Sequence, residues 1–177
     1  MKKIIFLLLL AIESINTQAQ LQRNFWGLEL GISSKYTVSN FLKNNNLTHN
    51  SQTGGNDVII VNENLSLGGY SWGTTFGFYN NTLYTIQLIL FHVEMNNYGE
   101  LVDNSSNTTF AFHDLRSKLR NKYPNAENIV DPENPTFRFI LRDDKTIVML
   151  ELDDQKNLIL SYDDRKLRKM ELNGSDL

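Results

Sequence analysis

The stretch that decides the fold runs from Phe137 to Asp164: FRFILRDDKTIVMLELDDQKNLILSYDD. Three apolar, β-branched segments, FRFIL, TIVMLEL and NLILSY, are separated by short polar reversals, which predicts three antiparallel strands. Alternation gives one face Phe137, Phe139, Leu141, Val148, Leu150, Leu152, Leu158, Leu160 and Tyr162. That face is almost wholly apolar and needs a cover. The opposite face carries Arg138, Ile140, Arg142, Ile147, Met149, Glu151, Ile159 and Ser161, a mixture that tolerates water.

Three Asp-Asp pairs punctuate this stretch, at 143–144, 153–154 and 163–164. Asp suits reversals because its carboxylate accepts from nearby backbone N–H groups. The first two pairs are expected in the two turns and the third just past the last strand. Successive turns of a meander lie at opposite ends of the sheet, so the middle pair stands roughly 20 Å from the others. Calcium needs several oxygens at about 2.3–2.6 Å from one ion. The doublets are therefore read as turn residues, with no metal and no cofactor expected.

Upstream, Phe112, Leu115, Leu119 and Tyr123 recur at three- and four-residue steps, with Arg116, Lys118, Arg120 and Lys122 on the other side. This predicts an amphipathic helix stopped by Pro124. After NAENIVDPENP, a loop with two prolines, the meander begins. Residues 110–177 thus read as helix plus antiparallel meander, ending in a weakly patterned tail.

An earlier segment shows the same order. FWGLEL is a short apolar opening, and Ser33 is the expected N-cap of a helix carrying Val38, Phe41 and Leu42. Asn44 to Asn46 end it. A polar loop with Gly54-Gly55 leads to the strand DVIIVN. Then YSWGTTFGFYNNTLYTIQLILF predicts a hairpin turning at Asn80-Asn81, two residues that accept positive φ. That register sets Tyr79 against Thr82, Phe78 against Leu83, Phe76 against Thr85 and Trp72 against Ile89. Tyr70, Trp72, Phe76 and Phe78 then share a face with Leu83, Ile89 and Phe91. Ser71, Gly73, Thr75 and Gly77 form the other, where small residues let the first helix approach; a loop one residue longer would exchange the faces of one strand against the other.

The expected organisation is α+β: residues 20–98 as a first helix-plus-meander half, a polar connector over 99–109, and residues 110–177 as the second. Two such repeats with helices packed on one sheet face satisfy the layer rule.

The chain opens MKKIIFLLLLAIESINTQAQ, a basic pair, an apolar run of about nine residues and a small-residue site. Residues 1–19 read as a secretory signal peptide cleaved after Ala19, the run being too short to span a bilayer. The full chain has 17 basic and 20 acidic residues. Loss of Lys2, Lys3 and Glu13 leaves 15 and 19, a net charge of about −4. Acidic balance disfavours nucleic acid and anionic membrane surfaces as partners. There is no cysteine, so the exported chain holds itself together without disulfides. The expected location is periplasmic or secreted, with no membrane span.

Catalytic motifs are not evident. His49, His92 and His113 lack a paired metal spacing, and no G-x-S-x-G elbow occurs. A hydrolase reading would need carboxylates such as Glu151 with Asp153 or Asp163 to converge on one substrate. The expectation is a protein that is not an enzyme. The candidate partner-binding residues are Tyr70, Trp72, Phe76 and Phe78. Large aromatics are mostly core, but an open row would mark a partner site.

Three blocks carry a family likeness. FWGLELGISSKYTVSNFL (25–42), LGGYSWGTTFGFYNNTLYTIQL (67–88) and TFAFHDLRSKLRNKYPN (109–125) resemble small exported Bacteroidetes proteins of unknown function. The doubled helix-plus-meander outline is also similar to the β-lactamase-inhibitor-protein-like fold, which implies binding through a sheet face. Unlike that inhibitor, this chain has no disulfides, and no functional residue is carried over. The expected function is an exported, non-enzymatic binding module for a protein or envelope component; a structural subunit of a surface assembly is the other non-catalytic reading.

Overall fold

A computed structural model describes residues 20–52, 57–95, 101–103, 105–129 and 137–174. Residues 1–19, expected to be a signal peptide, the Gly54-Gly55 loop and the prolines at 132 and 135 lie outside the described residues.

The fold is α+β. Residues 20–95 give β1 (Asn24–Phe25), β2 (Leu28–Glu29), α1 (Lys35–Asn44), β3 (His49–Gln52), β4 (Asp57–Val61), β5 (Leu65–Leu67), β6 (Tyr70–Tyr79), β7 (Thr82–Leu90) and β8 (Val93–Met95). The rest gives β9 (Leu101–Asp103), α2 (Ser105–Lys122), β10 (Glu127–Ile129), β11 (Arg138–Arg142), β12 (Thr146–Leu152), β13 (Leu158–Asp164) and α3 (Arg165–Gly174). One antiparallel sheet runs β10-β11-β12-β13-β7-β6-β4-β3, with β5 on the end of β6. β7 pairs with β13, so the sheet is continuous between the earlier and later segments. β1-β2 and β8-β9 are separate two-stranded antiparallel sheets, neither expected from the sequence.

The late strands follow the alternation read from the sequence. Phe139, Leu141, Val148, Leu150, Leu152, Leu158, Leu160 and Tyr162 are all buried. α2 lies across β12 and β13, burying Ala111, Phe112, Leu115 and Leu119. It begins at Ser105, five residues before the expected start of the second half at 110, with Asp103 accepting from the Ser105 N–H at 2.8 Å. β13 runs to Asp164 because Thr146 and Ile147 of β12 pair with Asp164 and Asp163. The third doublet is therefore strand, buried at its end, where the reading had placed it beyond the strand.

The hairpin turns as expected at Asn80 and Asn81, with φ of 47° and 63°. Tyr79 pairs Thr82 and Phe78 pairs Leu83, but a bulge follows. Gly77 pairs Thr85 and Phe76 pairs Ile86, so Tyr84 is an extra residue in β7. One inserted residue inverts the alternation beyond it. Ile86 and Leu88 consequently join Leu83, Trp72, Phe76 and Phe78 in the core, while Ile89, expected on that face, turns to the other side.

This moves the first helix. Val38 and Leu42 of α1 belong to the cluster that contains Trp72, Phe76 and Ile59, so α1 covers the aromatic face and not the face of Gly73, Thr75 and Gly77. Its N-cap is Ser34, whose hydroxyl accepts from the Thr37 N–H at 3.1 Å; Ser33 instead accepts from the Glu29 N–H. The two helices expected from the sequence thus share the buried face, but a third does not. α3, unrecognised in the tail, sits on the opposite side against β13, β6 and β7. Asp164 caps it, accepting from the Leu167 N–H at 2.9 Å.

The N-terminal segment is tied to this corner. Arg23 Nη2 donates to Asp164 Oδ2 at 2.6 Å and to the Leu30 carbonyl, while Nη1 donates to the Lys145 carbonyl and Thr146 Oγ1 at 3.0 Å. Gly31, at φ +79°, passes so close that a Cβ there would stand 2.6 Å from the Asp164 carboxylate.

Candidate functional site

The four aromatics proposed from the sequence do not form an open surface. Trp72, Phe76 and Phe78 are buried in the core, and only Tyr70 reaches solvent. The Tyr70 hydroxyl donates to Asp114 at 2.7 Å, and Lys118 salt-bridges the same carboxylate at 2.8 Å. Burial, with the Asp114 hydrogen bond, pushes the Tyr70 phenol up to about 12. This cluster fastens β6 to α2. The row packs inward because the bulge completes an apolar face around it.

The carboxylates do not gather either. Asp143 accepts from the N–H groups of Lys145, Thr146 and Leu21. Asp153 accepts from the Asn157 N–H and side chain. Glu151 is held by Arg138 at 2.5 Å. On neighbouring strands, Glu151 and Asp163 lie four positions apart, roughly 14 Å. Glu151 therefore shares no substrate position with Asp163. Among the described residues no three His, Asp or Glu side chains are grouped to hold a metal ion.

The side chains left facing outward form one surface, of which the sequence suggests solvent for the late strands and the first helix for the part around Gly73, Thr75 and Gly77. Cross-strand register sets them in rows. The middle row runs Ile140, Met149, Ser161, Gln87, Thr75 and Ile60 across five interfaces of the sheet. On one side lie Glu151, Ile159, Ile89 and Gly73; on the other, Ile147, Asp163, Thr85 and Gly77. α3 shields the end of the sheet near Asp163 and Tyr84, where Arg168 lies 5.8 Å over the Tyr84 ring. Over Gly73 lies the half-exposed ring of Phe91, 3.1 Å from where a Cβ would stand.

A groove of about 190 Å³ opens in this face, between the central strands and Arg168. Ser161, Gln87 and Thr75 line it from adjacent strands, with Thr85 and Asp163 one row away. The Ser161 hydroxyl is buried and has no hydrogen-bond partner among the described residues, and a buried polar group without a partner is costly. Asp163 is buried and its carboxyl is pushed up; the Thr85 hydrogen bond and Arg168 oppose the shift, and Glu171 adds to it. The bulge brings Gln87 opposite Thr75, and the pairing of β7 with β13 brings it opposite Ser161. The missed signal was Gly77, whose Cβ would stand 2.5 Å from the Thr85 methyl and 3.3 Å from the Tyr84 ring.

The raised Asp163 carboxyl has a sign that can be tested. Its proton is held more tightly in the folded state, so ionisation costs stability as pH rises from its ordinary value, 3.8, through the raised one. Asp163→Asn removes that ionisation. The variant is expected to be more stable than wild type at neutral pH, with the gain shrinking on acidification toward pH 3.8. Urea denaturation across that window checks it; a gain independent of pH would show that charge is not the cause.

No protein-family model, curated protein or solved structure matches this chain.

Proposed function

We propose that this chain is an exported, non-enzymatic binding module that presents the outer face of its sheet to a protein or envelope component. The observation that carries the reading is the row structure of that face. Ile89, Ile140, Met149 and Ile159 stand partly exposed around a polar centre, and α3 covers only one end. Mixed apolar and polar surface on rigid strands suits recognition without induced folding. On this reading, the segments 20–98 and 110–177 are tandem helix-plus-meander units joined through their last strands, and the joined sheet is the recognition platform. The aromatic row then serves as the wall that keeps the platform flat, not as the contact surface.

Ile89→Lys tests the reading. The side chain is partly exposed on a central strand, so the fold should persist, checked by circular dichroism. Mature protein beginning at Gln20 is immobilised and exposed to detergent-solubilised envelope extract. Components retained by wild type are expected to be lost from the variant. Equal retention by both, or retention that follows only substitutions on the helical side, would refute it.

A further inference from the structure

We infer that the outer-face groove binds a single neutral saccharide unit, the terminal sugar of a glycan. This rests on the outer face being the recognition surface and names its ligand class. Three neutral hydrogen-bonding side chains from adjacent strands, Thr75, Gln87 and Ser161, are presented in one row. Between them they offer donors and acceptors to vicinal hydroxyls, each hydroxyl being both donor and acceptor. The charged residues lining the groove, Asp163 and Arg168, are of opposite sign, and Glu171 lies beside Arg168 outside the lining, so the groove has no excess positive charge to select an anion.

Ser161 is 5 % exposed, and its buried hydroxyl, on the groove lining, has no partner among the described residues, which points to a missing polar partner. One trapped water does not fill the space: 190 Å³ corresponds to about six waters of liquid volume. It is smaller than a drug-sized pocket, about 300 Å³ and upward, so one sugar ring is the scale. Met149 and Val58 flank the polar row with apolar surface for the C–H face of a ring. Phe91, half exposed, stands over Gly73 one row beyond Thr75, where an adjoining unit would meet an aromatic plane.

The test uses the mature chain and three probes: methyl α-mannoside, methyl β-galactoside and methyl β-N-acetylglucosaminide. Saturation-transfer and ¹⁵N chemical-shift mapping are read together. At least one glycoside is expected to bind in the millimolar class, with shifts centred on Thr75, Gln87 and Ser161. Ser161→Ala and Gln87→Leu should each weaken it about five- to tenfold, the worth of one neutral hydrogen bond. Ser161→Ala leaves no hydrogen bond broken in the protein, so it should fold. No transfer from any glycoside, or shifts lying elsewhere on the wild-type chain, overturns the inference, as does binding unchanged in both variants. If that happens while Ile89→Lys still abolishes retention from envelope extract, the saccharide falls and the binding-module reading stands.

Discussion

Arg23→Ala is expected to lower stability by about 3–5 kcal/mol, the usual cost of stripping one partner from a buried ion pair. The guanidinium makes four hydrogen bonds, and the Arg23 and Asp164 side chains are only 18 % and 11 % exposed. Removing it leaves Asp164 as an uncompensated charge at the start of α3. It also takes a donor from the Leu30 carbonyl and the Thr146 hydroxyl, while the Lys145 carbonyl keeps the Arg165 N–H. For a chain of this length the loss corresponds to a fall in Tm of roughly 6–20 °C. The double variant Arg23→Met with Asp164→Asn separates charge from packing. Asn still caps α3, so much of the stability should return. Urea denaturation of the four proteins in the cycle measures the coupling. A coupling below about 0.5 kcal/mol would mean that the pair acts as an exposed contact and that Arg23 does not clamp the corner.

Trp72→Ala should cost a similar amount, about 3–5 kcal/mol, for a different reason. The indole is fully buried, meets the Tyr70 ring edge-on at 6.0 Å and donates to the Leu67 carbonyl at 2.9 Å. Truncation opens a cavity in the core and takes the indole donor from that carbonyl. Trp72→Phe keeps most of the packing and loses the hydrogen bond, so about 1 kcal/mol of its cost is that bond. The measurement is thermal and chemical unfolding followed by circular dichroism. A loss under about 1 kcal/mol for the alanine variant would place Trp72 on an open surface.

The two results contrast a residue found by pattern with one found only in three dimensions. Trp72 stood out in the sequence as part of an aromatic row, and the ambiguity was which way the row faced. Both registers of the hairpin offered apolar partners: Leu83, Ile89 and Phe91 in one, Ile86 and Leu88 in the other. Periodicity has no term for an inserted residue, so the bulge at Tyr84 was invisible. The late meander had no such interruption, and its buried face was legible residue by residue. The same limit hid the groove, because Thr75, Gln87 and Ser161 align only once the bulge is counted and β7 is paired with β13. Arg23 carried no local pattern at all; its partner lies 141 residues away. α3 was missed because its ten residues offer a thin apolar stripe, although Asp164 three residues before Leu167 was a readable cap signal.

The pairing of β7 with β13 also sets an order of events during synthesis. Thr85 meets Asp163 and Leu90 meets Leu158, partners some 70 residues apart. A nascent chain that has completed residues 20–98 therefore holds a bare strand edge in what will become the middle of the sheet. Such an edge is a template for pairing with other molecules until the last strand arrives. Fragments ending before Leu158 should self-associate, and folding of the whole chain should be slow for its size, governed by this distant closure.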